Sequence, residues 1–324
     1  AGAVFQVASQ FNLLEMVSPS ATPEDGIARY ETDRTQGPAC AMACAAGTIY
    51  RNYFAPVGDQ IGQSATRQLD MLADLGAALG NAEGALWAMQ NGYALPRPGR
   101  LATISQRIRG SNPAHLKGLL RVGVQAGTEV TLPGAGHLVH QVYASALPIA
   151  YSLDPIDDWE PFARLVLEAA YLATFGAAHA LGAPRLFLTR LGGGAFGNPS
   201  SWISAAMATA LETWQTVEMD VVLPGNSRRT DSDIALSCEG ALQWTNGLPS
   251  KGVRVMVEKG WLTLTGTVHW DYQRQAAMTA VRDILGVAGI TDKIVLATGA
   301  SPGVVKADIE AAFKRRAEVH APHV

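Results

Sequence analysis

Cysteine is scarce in this chain, with three among 324 residues, Cys40, Cys44 and Cys238. That is too few for a disulfide framework to hold a fold of this length, and it fits a reducing compartment. Cys40 and Cys44 lie four apart in an alanine-rich stretch with no histidine beside them, a spacing read as helix packing rather than a metal or redox pair. Charge is also sparse at 16% of residues, with 25 Lys and Arg against 28 Asp and Glu for a net −3. No basic surplus exists to hold a phosphodiester backbone, which excludes a dedicated nucleic-acid binder. Long apolar runs are missing too. Nothing approaches the roughly 18 consecutive apolar residues of a membrane span, and AGAVFQVASQFN lacks the basic segment of a secretory leader, so the reading favours the cytoplasm. What the chain does have is 48% apolar residues, enough for a sizeable core, and a length that suggests two domains.

The clearest seam is LPGNSRRTDSDIA, residues 223–235, which places a boundary near 228. Before it, strand-like and helix-like stretches alternate. A strand is expected at Val4–Ala8, helices at 38–49 and 66–80, strands at 119–124 and 140–149, a long helix at 159–181, a strand at 185–189, a helix at 200–214 and a strand at 218–223. Strands interleaved with helices argue for an α/β domain with a parallel or mixed sheet. After the seam the rhythm changes to a helix at 231–244, a hairpin turning at Lys259-Gly260, a helix from Asp271 to Leu285, and a last strand at 290–296. The order is α-β-β-α-β. From Ser301 the same pattern restarts with VKADIEAAFKRRAEV and stops where its hairpin would begin, so 301–324 reads as the start of a second, truncated repeat.

Three stretches carry chemistry. LFLTRLGGGAFGNPSSW (186–202) runs an apolar strand through a glycine-rich loop into a helix, presenting free backbone N–H groups of Gly192, Gly193, Gly194, Ala195, Phe196, Gly197 and Asn198 beside a helix N-terminus. That is either an anion cradle or only a tight turn. Gln10 and Asn12 sit at the carboxyl end of the first strand, where α/β folds hold ligands, and their amides suit ribose hydroxyls; the alternative is that Asn12 caps a turn. Gln36 and Gly37, ahead of Pro38, open a second helix mouth. Tyr143 and Tyr151 are read as cleft-lining. His137 and His140 are three apart with no third ligand, and no metal or cofactor is assigned.

Together ValAlaSerGlnPheAsn, ThrGlnGlyProAlaCysAla and LeuGlyGlyGlyAlaPheGlyAsn resemble the macro domain over roughly residues 3–223. The resemblance implies a macro-domain-like three-layer mixed sheet with helices on both faces and, for residues 1–228, binding of ADP-ribose or a similar nucleotide diphosphate. Asn12 would take the ribose-contacting position, Gly192–Gly197 the second phosphate loop, and Phe196 a place beside the distal ribose. The strand here ends Ser-Gln-Phe-Asn rather than Asn-Ala-Ala-Asn, and about two dozen residues intervene before Gln36, where hydrolytic relatives carry glycines. Hydrolysis of an ADP-ribosyl linkage needs a carboxylic acid or a positioned water. Glu15, Glu31 and Asp33 are the nearby candidates, with solvated or capping roles as their alternative.

KGVRVMVEKGWLTLTGTVHWDYQRQAAMTAVRDILGVAGITDKI resembles a BON domain, through Gly260-Trp261, Gly266 with Val268, and Gly286-Val287. The expected domain spans 229–300. The resemblance implies contact with phospholipid or an envelope protein, no catalytic group, and the periplasm as the rival compartment. The competing functional reading is a non-catalytic envelope or stress-response adaptor.

Overall fold

Val4–Ala8 forms strand β1, buried on both faces, which only a central strand tolerates. The computed structural model describes residues 2–297 apart from 34, 133, 224–230, 246, 247, 250, 251, 283, 285, 286 and 288. The proposed second repeat at 301–324, and the seam's centre, lie outside the described residues. The chain divides into two compact units, 1–227 and 228–324.

In the first unit β1 is followed by helices α1 (Gln36–Ala43) and α2 (Ala45–Tyr53), the two-residue strands β2 (Pro56–Val57) and β3 (Gln60–Ile61), and helix α3 (Ala73–Ala78). Next come the hairpin β4 (Trp87–Gln90) and β5 (Tyr93–Pro96), helices α4 (Leu101–Arg109) and α5 (Pro113–Lys117), and strands β6 (Gly123–Glu129) and β7 (Leu138–Ala144). Helix α6 (Ile156–Ala180), β8 (Arg185–Phe187), α7 (Ser200–Thr213) and β9 (Asp220–Val222) complete it. The main sheet has the order β6-β7-β1-β8-β9, parallel except for β6. Helices lie on both of its faces. Gln6 of β1 donates to Thr174 Oγ1 of α6 at 2.8 Å, whereas Val7 points to the opposite side and packs in a cluster with Tyr143 and Cys40 of α1. Trp159, Phe162, Tyr171 and Phe175 of α6 are buried and anchor the main core, each contributing about 1.5–3 kcal/mol.

Along its whole length β1 pairs with β7, but with β8 only at Val4 and Phe5. Beyond Phe5 the two strands part. The backbone groups this leaves are met by one side chain: Ala8 N donates to Gln36 Oε1 at 2.9 Å, and Gln36 Nε2 donates to Gln6 O at 2.9 Å. Gln36 therefore substitutes for a missing stretch of strand.

Several sequence expectations need correction. The helix expected at 38–49 is two helices, broken at Cys44, whose φ of −131° and ψ of 57° are not helical. Of 66–80 only Ala73–Ala78 is helical, because Asp70 Oδ1 caps Leu72 N at 2.8 Å and starts the helix late. The strand expected at 119–124 is β6, shifted to Gly123–Glu129, and it is an edge strand largely open to solvent. β7 ends at Ala144, and a short 3₁₀ turn takes Ile149–Tyr151.

The second unit has helix α8 (Asp231–Trp244), strands β10 (Val253–Glu258) and β11 (Trp261–Val268), helix α9 (Asp271–Arg282) and strand β12 (Gly289–Leu296). β11 is central, antiparallel to β10 and parallel to β12. Val253, Val255, Val257, Leu262, Leu264, Val268 and Ile294 face Ile234, Cys238, Ala277 and Val281 of the helices in a core of their own. Lys259 (φ 51°) and Gly260 (φ 80°) make a two-residue hairpin turn. Their N–H groups both donate to Asp231, at 2.6 and 2.8 Å, so the first residue of α8 holds the hairpin tip. Among the described residues no helix is long and apolar enough to cross a membrane.

Candidate functional site

The order β7-β1-β8 means that the chain crosses over β1 on its way from β7 to β8, and a crevice forms outside the carboxyl ends of such strands. Ser9 still donates to Ala144 O at 2.9 Å; then the chain folds back, with Leu13 at φ 64°. Gln10 Oε1 accepts from Met16 N at 2.6 Å and its Nε2 donates to Met16 O at 3.0 Å. Asn12, fully buried, accepts from Leu14 N at 3.1 Å and donates to Gln68 Oε1 at 2.8 Å. The chain of amides continues from Gln68 Nε2 to Asn91 Oδ1 at 2.7 Å, and from Asn91 Nδ2 to Pro19 O at 2.7 Å. The β4–β5 turn therefore inserts its tip here, and a Cβ on Gly92 would lie 2.6 Å from Asn12. In this structure the amides of Gln10 and Asn12 are taken up within the loop.

Below that turn lies Glu15. Its Oε1 meets Arg51 at 3.5 Å in a fully buried pair, while Oε2 has no partner among the described residues. Arg51 also donates from Nε to Leu13 O at 2.9 Å and from Nη1 to Gln125 Oε1 at 2.7 Å, and its guanidinium lies 3.5 Å over the Tyr143 ring. Burial pushes the Glu15 carboxyl up to about 7 despite the opposing charge of Arg51. Tyr30 Oη accepts from Glu15 N at 3.0 Å. Gly37 approaches the same place: a side chain there would run into the Ala8 carbonyl oxygen and the Glu15 side chain. Burial raises the Cys40 thiol to about 11, which keeps it protonated and poorly nucleophilic.

The glycine loop stands across the crevice. Gly192 has φ 68°, and a Cβ on it would meet Asn198 and Ala146. Asn198 is buried, donates to Leu147 O at 2.8 Å, and leaves Oδ1 without a partner among the described residues. Gly193, Gly197 and Asn198 use their N–H groups inside the loop. The N–H groups of Gly194, Ala195 and Phe196 have no partner among the described residues. Gly194 is exposed and faces open space. Phe196 packs with Tyr93 at 5.3 Å and Tyr151 at 5.9 Å between ring centres, and Tyr93 with Tyr151 at 5.2 Å. Asp33 lies close enough for its charge to act on Glu15, Tyr93 and Tyr151, and its Oδ1 accepts from Thr35 N at 2.8 Å.

The structure thus brings together Gln10, Asn12, Glu15, Asp33, Gln36, Gly37 and, through Tyr93, the loop at Phe196. Glu31 is exposed. Tyr143 is buried beneath Arg51 rather than lining the cleft, whereas Tyr151 does face Phe196. Arg51, Tyr30, Tyr93, Gln68 and Asn91 went unread in the sequence. Arg51 is the lone cation of α2, and Tyr93 follows an Asn-Gly turn, but nothing in their spacing ties either to residues 10–15. His140 Nδ1 accepts from Gly127 N at 3.0 Å, and no group of three or more His, Cys, Asp or Glu is placed to hold a metal among the described residues.

In the second unit the α-β-β-α-β order closes one layer of helices on a three-stranded sheet, with Gly266 at φ 138° where a side chain would strike the Gly252 carbonyl oxygen. Residues 230–298 are a BON domain. The match lies within the second unit and does not reach the crevice of the first. BON domains are associated with phospholipid or membrane binding. No curated protein matches the chain.

Proposed function

We propose that the N-terminal unit holds ADP-ribose or a related nucleotide diphosphate in the crevice outside β1 and β8, and that the BON domain fastens the chain to a phospholipid surface. The observation that carries the first half is the parting of β1 and β8 at the crossover, together with the N–H groups of Gly194, Ala195 and Phe196 in the loop after β8, which have no partner among the described residues. The resemblance to macro domains supports it through the same glycine loop and through Phe196, partly exposed beside Tyr151 and backed by the buried ring of Tyr93, as a contact for a ribose or base. If a glycosidic bond is cleaved, Glu15 is the carboxyl suited to protonate the leaving oxygen while water adds to the anomeric carbon. Raised to about 7, it is still about half protonated at neutrality, whereas Glu31 faces solvent and Asp33 is held in a turn.

Calorimetric titration of the full chain with ADP-ribose, with AMP and ribose 5-phosphate as controls, tests binding. A dissociation constant in roughly the micromolar range, abolished by Gly194→Asp with the thermal midpoint unchanged, is the expected result. Absence of heat and of thermal shift would overturn it. The second reading, an adaptor whose N-terminal unit keeps the sheet without a ligand, draws on the internal use of the Gln10 and Asn12 amides.

A further inference from the structure

Among the described residues, helices cover the BON sheet on one face only. Its other face carries Arg254, Met256 and Glu258 from β10, Trp261, Thr263, Thr265 and Thr267 from β11, and Thr291, Lys293 and Val295 from β12. The pairing aligns these side chains in rows across the sheet. Arg254 is opposite Thr265, which is opposite Lys293, so two cations flank one hydroxyl about 10 Å apart. Met256, Thr263 and Thr291 form the next row, and Glu258 and Trp261 the one beyond. Trp261 lies flat along the face, with its ring against Gly289 and Nε1 donating to Thr291 Oγ1 at 2.8 Å, yet it remains 51% exposed.

Among the described residues of this unit, charge is divided between the two sides. Arg254 and Lys293, and Lys259 at the hairpin tip, are exposed and form no ion pair among the described residues; Glu258 is the one carboxylate on the sheet face among those residues, and Asp231 accepts from the Lys259 N–H at the tip. On the helix side Asp231, Glu239, Asp271 and Asp292 outnumber Arg274 and Arg282, and Arg274 is bridged to Asp271 at 2.8 Å. The sheet face is rich in threonine, and its exposed large apolar side chains are Met256, Trp261 and Val295. Free cations around a half-buried indole suit a fluid anionic surface whose headgroups rearrange to meet them.

Resting on the lipid-tether reading above, we propose that this sheet face is the one laid on an anionic phospholipid bilayer. Arg254 and Lys293 engage headgroup phosphates, and Trp261 and Met256 sit at the level where headgroups give way to acyl chains. The helix side faces away.

The test is co-sedimentation of the full chain with vesicles of phosphatidylcholine alone and of phosphatidylcholine mixed with phosphatidylglycerol. The wild type is expected to pellet with the mixed vesicles and to be released by salt. Joint Arg254→Glu and Lys293→Glu substitution should weaken partitioning roughly tenfold or more, joint replacement by Gln should give a smaller loss, and Arg282→Glu on the helix side should leave it unchanged. Circular dichroism of each variant reports the fold, and the Gln pair keeps the test valid should the reversed pair misfold. If the wild type pellets with mixed vesicles and both sheet-face pairs do so equally well, the face assignment fails and the lipid reading stands. If Arg282→Glu is the variant that releases the protein, the helix side is the contact. A wild type that pellets with neither vesicle overturns both.

Discussion

Glu15 has a titration that should be visible in the stability of the whole first unit. Its carboxyl is raised from the usual carboxylate range to about 7 because burial outweighs the attraction of Arg51. An unfolded chain releases this proton near the ordinary value and the folded one holds it longer, so the contribution of Glu15 falls as pH rises between about 4.5 and 7 and is flat outside that window. The shift corresponds to about 3 kcal/mol. Glu15→Gln should therefore flatten the slope of denaturant stability against pH across this window, and an unchanged slope would place the proton elsewhere. Gly37 makes a second, purely steric case. A methyl group there meets the backbone oxygen of Ala8, which cannot swing aside, so Gly37→Ala should cost about 1–3 kcal/mol in urea unfolding, whereas substitution at the open Gly194 should cost far less.

At the scale of elements, Asp231 holds the β10–β11 turn by accepting from two successive backbone N–H groups. Charge-assisted bonds of this kind are worth about 1.5–3 kcal/mol each, so Asp231→Ala should lower the melting temperature of the BON domain by more than Asp231→Asn does, as read by circular dichroism. Elements were legible wherever a local pattern settles them. VFQVA is apolar on both sides and became β1 with the expected bounds; α8 and the Lys259-Gly260 turn also fell where helix periodicity and turn chemistry place them. The failures share a cause. Residues 66–80 have a leucine spacing that fits a helix throughout, yet Asp70 competes for the backbone and Met71 N is claimed by Phe11 O, sixty residues earlier. The crevice was legible as a location, from the strand end and the glycine loop. The internal use of its amides was legible only in part: Asn12 capping Leu14 N and Gln10 bonding Met16 are local, but Asn12 also donates to Gln68 and Gln10 to Tyr93, contacts that no local spacing encodes.

For the molecule as a whole, each unit has its own apolar core, one built on α6 and the main sheet, the other on β10–β12 with α8 and α9. A charge placed in the smaller core, Val281→Asp, should abolish the calorimetric transition of the BON domain and spare the midpoint of the larger one; loss of both would mean that the first unit depends on the second. The placement of β1 also has a consequence for biosynthesis. Of the strands in the main sheet, the first to leave the ribosome is the central one, and its neighbours are residues 138–144 on one side and 185–187 on the other. At about 5–20 residues per second, translation leaves VFQVA waiting roughly ten to forty seconds for its last partner. A nascent chain arrested before residue 185 can pair β1 with β7 along one edge but has no strand to place on the other, and that interval is when this chain most needs a chaperone.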